Sequence, residues 1–249
     1  MNRSEDKTKG ENLVNYFSVA GKHHEYKKEN NQDAFLYRQE DEYFAMALAD
    51  GVSACKYSKE GAMIVCEAVV DFLLKHSKRL FLMDKAEISS SLLSDVLYHL
   101  RKVAENNNHD IDEYSSTLAC VLYDSQSRKM LYFSIGDSLI TANKSDDCYI
   151  VAMPSDSRNG CCVTTSFNAF STAKVGIIDV ESASSIMISS DGAWHLMYRR
   201  NRMYQNIKEI ILKHEYDKLK ETLLEKERFD DCSFVIMDLR AFQKRSKSA

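Results

Sequence analysis

Acidic residues stand beside short apolar runs at four places in the chain. Such runs are typical of buried strands, and a neighbouring glycine permits the sharp turn that lets a carboxylate project from a sheet edge. Oxygen ligands without a matching set of cysteines or histidines favour magnesium or manganese over zinc. Each acid alone could also simply close a turn, but together they predict a carboxylate metal site. The four places are Asp50-Gly51, Gly136-Asp137, Asp191-Gly192 and Asp230-Asp231.

The chain has 249 residues, 44% of them hydrophobic and 28% charged, which is enough to bury a large core. Its single proline and the lack of a Gly/Ser-rich linker predict one domain at residues 12–240. We expect residues 1–11 to form a disordered polar leader and residues 241–249 a solvated basic tail.

Composition also excludes several classes of partner. A net charge of −4 gives no basic footprint for nucleic acid, and no window is apolar enough to cross a membrane. Seven cysteines without a CxxC motif favour reduced, buried thiols over disulfides or zinc ligands. We therefore expect a cytoplasmic protein with neither nucleic acid nor membrane as partner.

Hydrophobic periodicity predicts sheets enclosed by helices. A helix should begin after an N-cap at Ser58, and further helices are predicted at 86–105, 198–213 and 216–227. Residues 159–173 are irregular and could form a mobile flap beside the site. Strands are predicted at 13–20, 34–37, 43–49, 117–123, 130–135, 139–142, 149–153, 186–189 and 233–239.

The acidic motifs occur in the order found in one known family. The motifs are Asn31-Gln32-Asp33-Ala34, Asp50-Gly51, Ser116-Thr117-Leu118, Ile135-Gly136-Asp137-Ser138, Ser189-Ser190-Asp191-Gly192-Ala193-Trp194, and Asp231 before the terminal strand. With these motifs the chain resembles the type 2C protein phosphatases over most of its length. Residues 50–58 are more similar to a bacterial branch of that family. The resemblance implies an α+β fold, a four-layer α-β-β-α sandwich with two central, mostly antiparallel sheets flanked by helix pairs.

The resemblance also implies a role for each acid. Asp50 would bridge two manganese or magnesium ions, Gly51 would offer its carbonyl, and Asp191 and Asp231 would complete the site. Asp33 would order water, and Asp137 would belong to a third, weaker metal position. The two ions would activate a water that hydrolyses phosphoserine or phosphothreonine in a protein. A phosphorylated protein and possibly a cognate serine/threonine kinase are the implied partners.

Some positions depart from the family pattern. Lys28 stands where eukaryotic members have a phosphate-binding arginine, Val52 replaces a frequent histidine, and His195 replaces an aspartate that many members have. His24 could donate a proton to the substrate, or it could be a loop histidine of structural role. These departures leave two alternatives open: a pseudophosphatase that binds a phosphoprotein or kinase, and an enzyme that hydrolyses a small phosphorylated metabolite.

Overall fold

Two five-stranded antiparallel sheets form the centre of the computed structural model, which describes residues 13–27, 30–155, 162–200 and 202–246. The first sheet has the strand order β1-β12-β9-β6-β7, and the second has the order β2-β3-β4-β5-β8. A short hairpin, β10-β11, stands apart from both. The strands are β1 Val14–Val19, β2 Asp33–Glu40, β3 Tyr43–Asp50, β4 Leu118–Asp124, β5 Lys129–Ile135, β6 Leu139–Lys144, β7 Cys148–Ala152, β8 Lys174–Asp179, β9 Ala183–Ser189, β10 Tyr198–Arg199, β11 Arg202–Met203 and β12 Cys232–Asp238.

Helices cover the outer faces of the two sheets. The longest, α4, begins with a capping box in which Asp84 accepts from the Glu87 amide, and it ends at a left-handed Asn108. The helices are α1 Lys22–Lys27, α2 Ser58–Lys75, α3 Ser77–Leu80, α4 Lys85–Asn107, α5 Ala169–Thr172, α6 Asp191–Met197, α7 Gln205–Leu212, α8 Tyr216–Leu224 and α9 Leu239–Ser246. None of the described helices is long and apolar enough to cross a membrane.

Alternation along the strands divides the interior into three layers of side chains. In β3, Phe44, Met46 and Leu48 point between the sheets, whereas the intervening alanines face α2 and α4. On the other sheet, Phe234 and Ile236 of β12 face α6, α7 and α8. The predicted four-layer α-β-β-α arrangement is therefore confirmed.

Several predicted boundaries differ from the structure. Helix α2 already includes Ser58, whose predecessor Tyr57 is the N-cap and makes no side-chain cap bond. The helix predicted at 198–213 begins only at Gln205, because β10 and β11 occupy its first part. Strand β8 was not predicted.

Residues near the end of the chain and part of the predicted flap are helical. Helix α9 continues through Ser246 and buries Ala241 and Phe242, so part of the expected basic tail packs on the core. In the segment expected to be a flap, residues 162–173 contain the single turn α5, and residues 159–161 lie outside the described residues.

Candidate active site

Asp33 and Asp50 face each other across the β2-β3 hairpin. They are register partners in an antiparallel pair, so their Cβ atoms lie about 5 Å apart on one face of the sheet. Asp33 is only 2% exposed, and the Ser190 hydroxyl donates to its Oδ2 (3.0 Å). Within the described part of the chain its Oδ1 is buried without a hydrogen-bond donor. One carboxylate oxygen of Asp33 therefore remains available to another group.

The end of β3 is held in place by the start of β4. The amide of Asp50 donates to Thr117 Oγ1 (2.9 Å), and the amide of Thr117 donates to the carbonyl of Asp50 (2.8 Å). Gly51 forms a bridge with Ser116, and a Cβ added to Gly51 would lie 2.9 Å from the backbone of Ser58. The close approach of α2 therefore requires glycine beside Asp50.

Asp191 enters the same region from the other sheet. It is the first residue of α6, directly after β9, and its Oδ1 accepts from the Gly192 amide (2.5 Å). A Cβ on Gly192 would lie 2.2 Å from the carbonyl oxygen of Asp231, so this turn packs tightly against the loop before β12. The indole of Trp194 donates to the Asp137 carbonyl (2.7 Å), which attaches α6 to the β5-β6 turn.

The electrostatics identify one group of mutually repelling acids, which we call the carboxylate cluster. Burial raises the pKa of Asp33 and of Asp191 to about 7 and that of Asp50 well above its usual value. The second cause is the charge of neighbouring acids: Asp33, Asp191, Asp230 and Asp137 all raise the pKa of Asp50. We define the cluster as Asp33, Asp50, Asp137, Asp191 and Asp230; the charge of Asp231 also raises the pKa of Asp33, but not noticeably that of Asp50 or Asp191.

Asp230 and Asp231 have different environments although they are adjacent. Asp230 is exposed, and its charge raises the pKa of both Asp50 and Asp191. Asp231 is fully buried; the Gly21 amide donates to its Oδ1 (2.9 Å) and the Gln32 amide to its Oδ2 (2.5 Å). Asp231 is the acid expected from the sequence to bind metal, whereas the acid whose charge raises the pKa of both Asp50 and Asp191 is Asp230. The sequence carried the pair of acids but no signal for which one faces the cluster.

The predicted substrate-binding residues lie in or near α1. His24 is buried, with its Nδ1 2.9 Å from Asp231 Oδ1 and its Nε2 3.5 Å from Ser53 Oγ. Lys28 lies outside the described residues. A cation that the sequence analysis did not select is close to the cluster: Lys59 Nζ donates to the backbone carbonyl of Asp33 (2.5 Å). Burial lowers the pKa of Lys59.

The donor set fits a hard divalent cation better than any other metal. Among the described residues no three Asp, Glu, His or Cys side chains already converge closely enough to hold an ion. The cluster nevertheless offers carboxylate oxygens from both sheets, one of them a buried acceptor without a donor. Carboxylates gathered in this way repel one another, and a bound cation would remove that cost. Magnesium and manganese match these oxygen ligands.

Comparison with known proteins agrees with this geometry. The sequence profile of the family described as protein phosphatase 2C matches residues 20–225, and the chain belongs to that family. The match ends before Asp230, so it does not distinguish Asp230 from Asp231. No curated protein sequence matches the chain significantly.

Solved structures with the same fold include phosphatases from bacteria. The serine/threonine phosphatase Stp1 from Staphylococcus aureus has a TM-score of 0.68 and 16% identity, covering 92% of this chain and 96% of that chain. A bacterial serine phosphatase has a TM-score of 0.67 and 16% identity, with 90% and 96% coverage. RsbX in complex with magnesium has a TM-score of 0.58 and 14% identity, with 90% and 94% coverage. At such identities these likenesses show the fold alone.

Proposed function

We propose that the chain is a manganese- or magnesium-dependent phosphatase that hydrolyses phosphoserine or phosphothreonine in proteins. The observation that carries the proposal is the carboxylate cluster, in which acids from both sheets raise one another's pKa. Membership of the protein phosphatase 2C family supports the same reaction class. The raised pKa values mean that the acids are brought together at a cost, which a pair of cations would offset.

For the metal ligands we propose Asp50, Asp191 and Asp230, together with the carbonyl of Gly51. Asp230 takes the place that the sequence analysis gave to Asp231, because Asp230 faces the other acids while backbone amides and His24 contact both oxygens of Asp231. We propose Asp137 as a ligand of a further, weaker position, since its charge raises the pKa of both Asp50 and Asp191. Two ions bound by these ligands would lower the pKa of a bound water and would neutralise charge on the phosphoryl group during its transfer.

Residues beside the proposed metal ligands would position a water and the loop that carries Asp33. Asp33 is fixed by the Ser190 hydroxyl at Oδ2, and Lys59 holds its backbone carbonyl, so Oδ1 can accept from and orient a water. Asp231 connects the Gly21 and Gln32 amides and thereby fixes the segment just before Asp33. We propose that Asp231 acts as a positioning residue rather than as a metal ligand.

The substrate class remains part of the proposal. We propose a phosphorylated protein, supplied by a serine/threonine kinase, in the cytoplasm, with neither nucleic acid nor a membrane as partner. Lys28 is a candidate to contact the phosphate, and a comparison of phosphopeptides with small phosphate esters separates a protein substrate from a metabolite. His24 is enclosed against Asp231, which favours a structural role over proton donation.

A pseudophosphatase is the second candidate. It is favoured by His195, which stands at the end of α6 where many members have an acid, and by the lack of a preformed three-ligand group among the described residues. In that case the chain would bind a phosphoprotein or kinase through the same surface without hydrolysing it.

One experiment decides between the two candidates. Hydrolysis of p-nitrophenyl phosphate and of a phosphothreonine peptide is measured with manganese, with magnesium and with EDTA, for wild type and Asp191→Ala. Turnover that requires the metal and is lost in the variant supports the phosphatase. Folded wild-type protein without turnover under any of these conditions contradicts it and favours the binding protein.

A further inference from the structure

An exposed group of arginines follows the active-site helix α6. Strands β10 and β11 form a hairpin that carries Arg199, Arg200 and Arg202, and all three side chains are exposed. We call these three residues the arginine hairpin. They lie beside an open hollow of about 600 Å³ that is also lined by Met203 and Tyr204. Three guanidinium groups within four positions form a concentrated positive patch on a chain whose net charge is −4.

Two other arginines on the surface are paired with acids, whereas the arginine hairpin is not paired with any acid that the structure describes. Arg38 pairs with Asp71, and Arg128 pairs with Glu181 at 3.2 Å. Within the described part of the chain, no acidic side chain lies within 4.0 Å of the hairpin's guanidinium groups. Because its charge is not neutralised from within the described fold, it remains available to an external anion.

The hairpin is also held in a defined place. The Tyr204 amide donates to the carbonyl of Met197 (2.9 Å), which connects the end of the hairpin to the end of α6. Lys226 Nζ lies 4.8 Å from the centre of the Tyr204 ring and adds a further cation beside the hollow. The hairpin is thus already held in place, which reduces the conformational entropy that it must lose when a partner binds.

The distance between the hairpin and the proposed metal ligands determines which residues of a substrate could contact the arginines. Helix α6 begins at Asp191 and has seven residues, so the hairpin begins about 10 Å from Asp191 at a rise of about 1.5 Å per residue. An extended peptide advances about 3.3 Å per residue, so about three residues cover that distance. A substrate whose phosphorylated residue lies at the cluster can therefore place residues three or more positions away on the arginines.

We propose that the arginine hairpin is a docking site for an acidic segment of the phosphoprotein substrate, about three to six residues from the phosphorylated residue. Arginine suits this role because its planar fork donates two parallel hydrogen bonds to a carboxylate or phosphate. Tyr204 and Met203 provide apolar surface beside the charges. The inference rests on the proposed function for the identity of the substrate, but the binding surface can be tested without catalysis.

The test compares three phosphothreonine peptides. One carries four glutamates at positions three to six before the phosphothreonine, one carries them after it, and one has glutamine at all these positions. We expect kcat/KM to be roughly tenfold higher for one glutamate peptide than for the glutamine peptide, from several modest charge pairs acting together. In a variant with Arg199→Gln, Arg200→Gln and Arg202→Gln, this preference disappears, while hydrolysis of p-nitrophenyl phosphate is unchanged.

A matched control removes the same charge elsewhere. Lys75, Lys78 and Arg79 are exposed on α2 and α3, and their replacement by glutamine must leave the peptide preference intact. The proposal is overturned if wild type shows no preference, if the hairpin variant keeps it, or if the control variant loses it equally.

Binding measurements keep this test separate from the proposed function. If wild type hydrolyses none of the substrates, the proposed function fails. The affinity of each labelled glutamate peptide, measured by fluorescence anisotropy, then tests the docking site. Roughly tenfold weaker binding to the hairpin variant, but not to the control variant, supports it, and equal binding to all three proteins overturns it. Equally tight binding of a single-stranded oligonucleotide of the same charge would also overturn it, because the surface would then recognise polyanions in general.

Discussion

Replacing Asp191 by asparagine should stabilise the metal-free protein, although it removes a proposed metal ligand. The pKa of Asp191 is raised by burial and by Asp137 and Asp230 to about 7, against an ordinary value of 3.8. Each pKa unit corresponds to about 1.4 kcal/mol, so ionised Asp191 costs up to about 4 kcal/mol at pH 8. Because a hydrogen bond to Asp50 lowers the pKa of Asp191 again and links the titration of the two acids, we expect about half of this, or about 2 kcal/mol, to be regained.

The raised pKa of Asp191 determines at which pH the carboxylate destabilises the protein. A carboxyl group whose folded-state pKa is raised destabilises the protein above that pKa, and the penalty disappears as the pH falls toward the unfolded value. Unfolding by urea in EDTA should therefore show Asp191→Asn more stable than wild type at pH 8, with a gain less than half as large at pH 5. Added manganese should stabilise wild type but not the variant.

A surface substitution serves as the control for this comparison. Asp217 is 90% exposed and pairs with Lys220 on the surface, so Asp217→Asn should change the free energy of unfolding by less than about 0.5 kcal/mol at either pH. If Asp191→Asn is less stable than wild type in EDTA at pH 8, or gains the same stability at pH 5, the acids do not repel one another as described.

Three further predictions concern the pair Asp230 and Asp231, the turn at Gly192, and the buried acid Asp238 at the other end of β12. Asp230→Asn should weaken manganese binding at least tenfold without loss of stability, whereas Asp231→Asn should lower the free energy of unfolding by about 2 kcal/mol, because a buried amide group would face the Gln32 amide. Calorimetry and urea unfolding measure the two effects, and the reverse assignment would contradict our ligand set. Gly192→Ala should cost at least about 2 kcal/mol, because its Cβ would meet a backbone carbonyl at 2.2 Å. A change below about 0.5 kcal/mol would show that the turn can move to accept the methyl group. Asp238 is buried, yet hydrogen bonds from His214 and Arg240 hold its pKa well below the usual range, so its contribution is present above about pH 4 and is lost as the pH falls further. Asp238→Asn should therefore flatten the loss of stability between about pH 5 and pH 2, and an unchanged acid profile would refute this.

Much of the fold could be predicted because the strands alternate. In β3 the aromatic and long aliphatic residues of one face and the alanines of the other reflect burial on both sides, and the Glu40–Glu42 turn between β2 and β3 lies where expected. The capping box of α4 is likewise a local signal in the sequence. Local patterns of this kind depend on neighbours in the chain and are therefore visible without a structure.

The errors arose where distant contacts decide the conformation. Tyr198 and Met203 pair across the β10-β11 hairpin, which the helical spacing of the isoleucines in α7 concealed. Strand β8 forms an edge beside β5, and its short sequence with Gly176 gives little periodicity. The orientation of Asp230 and Asp231 depends on amides some 200 residues away in sequence, and no local pattern contains that information.

The most direct test of the central claim is the number of manganese ions that the wild-type chain binds, measured by isothermal titration calorimetry beside Asp50→Asn. We expect two ions per chain for wild type and the loss of at least one in the variant, because Asp50 faces the other acids of the cluster. Circular dichroism confirms that both proteins are folded. If folded wild type binds no manganese or magnesium, or if Asp50→Asn binds as many ions as wild type, the carboxylate cluster is not the metal site.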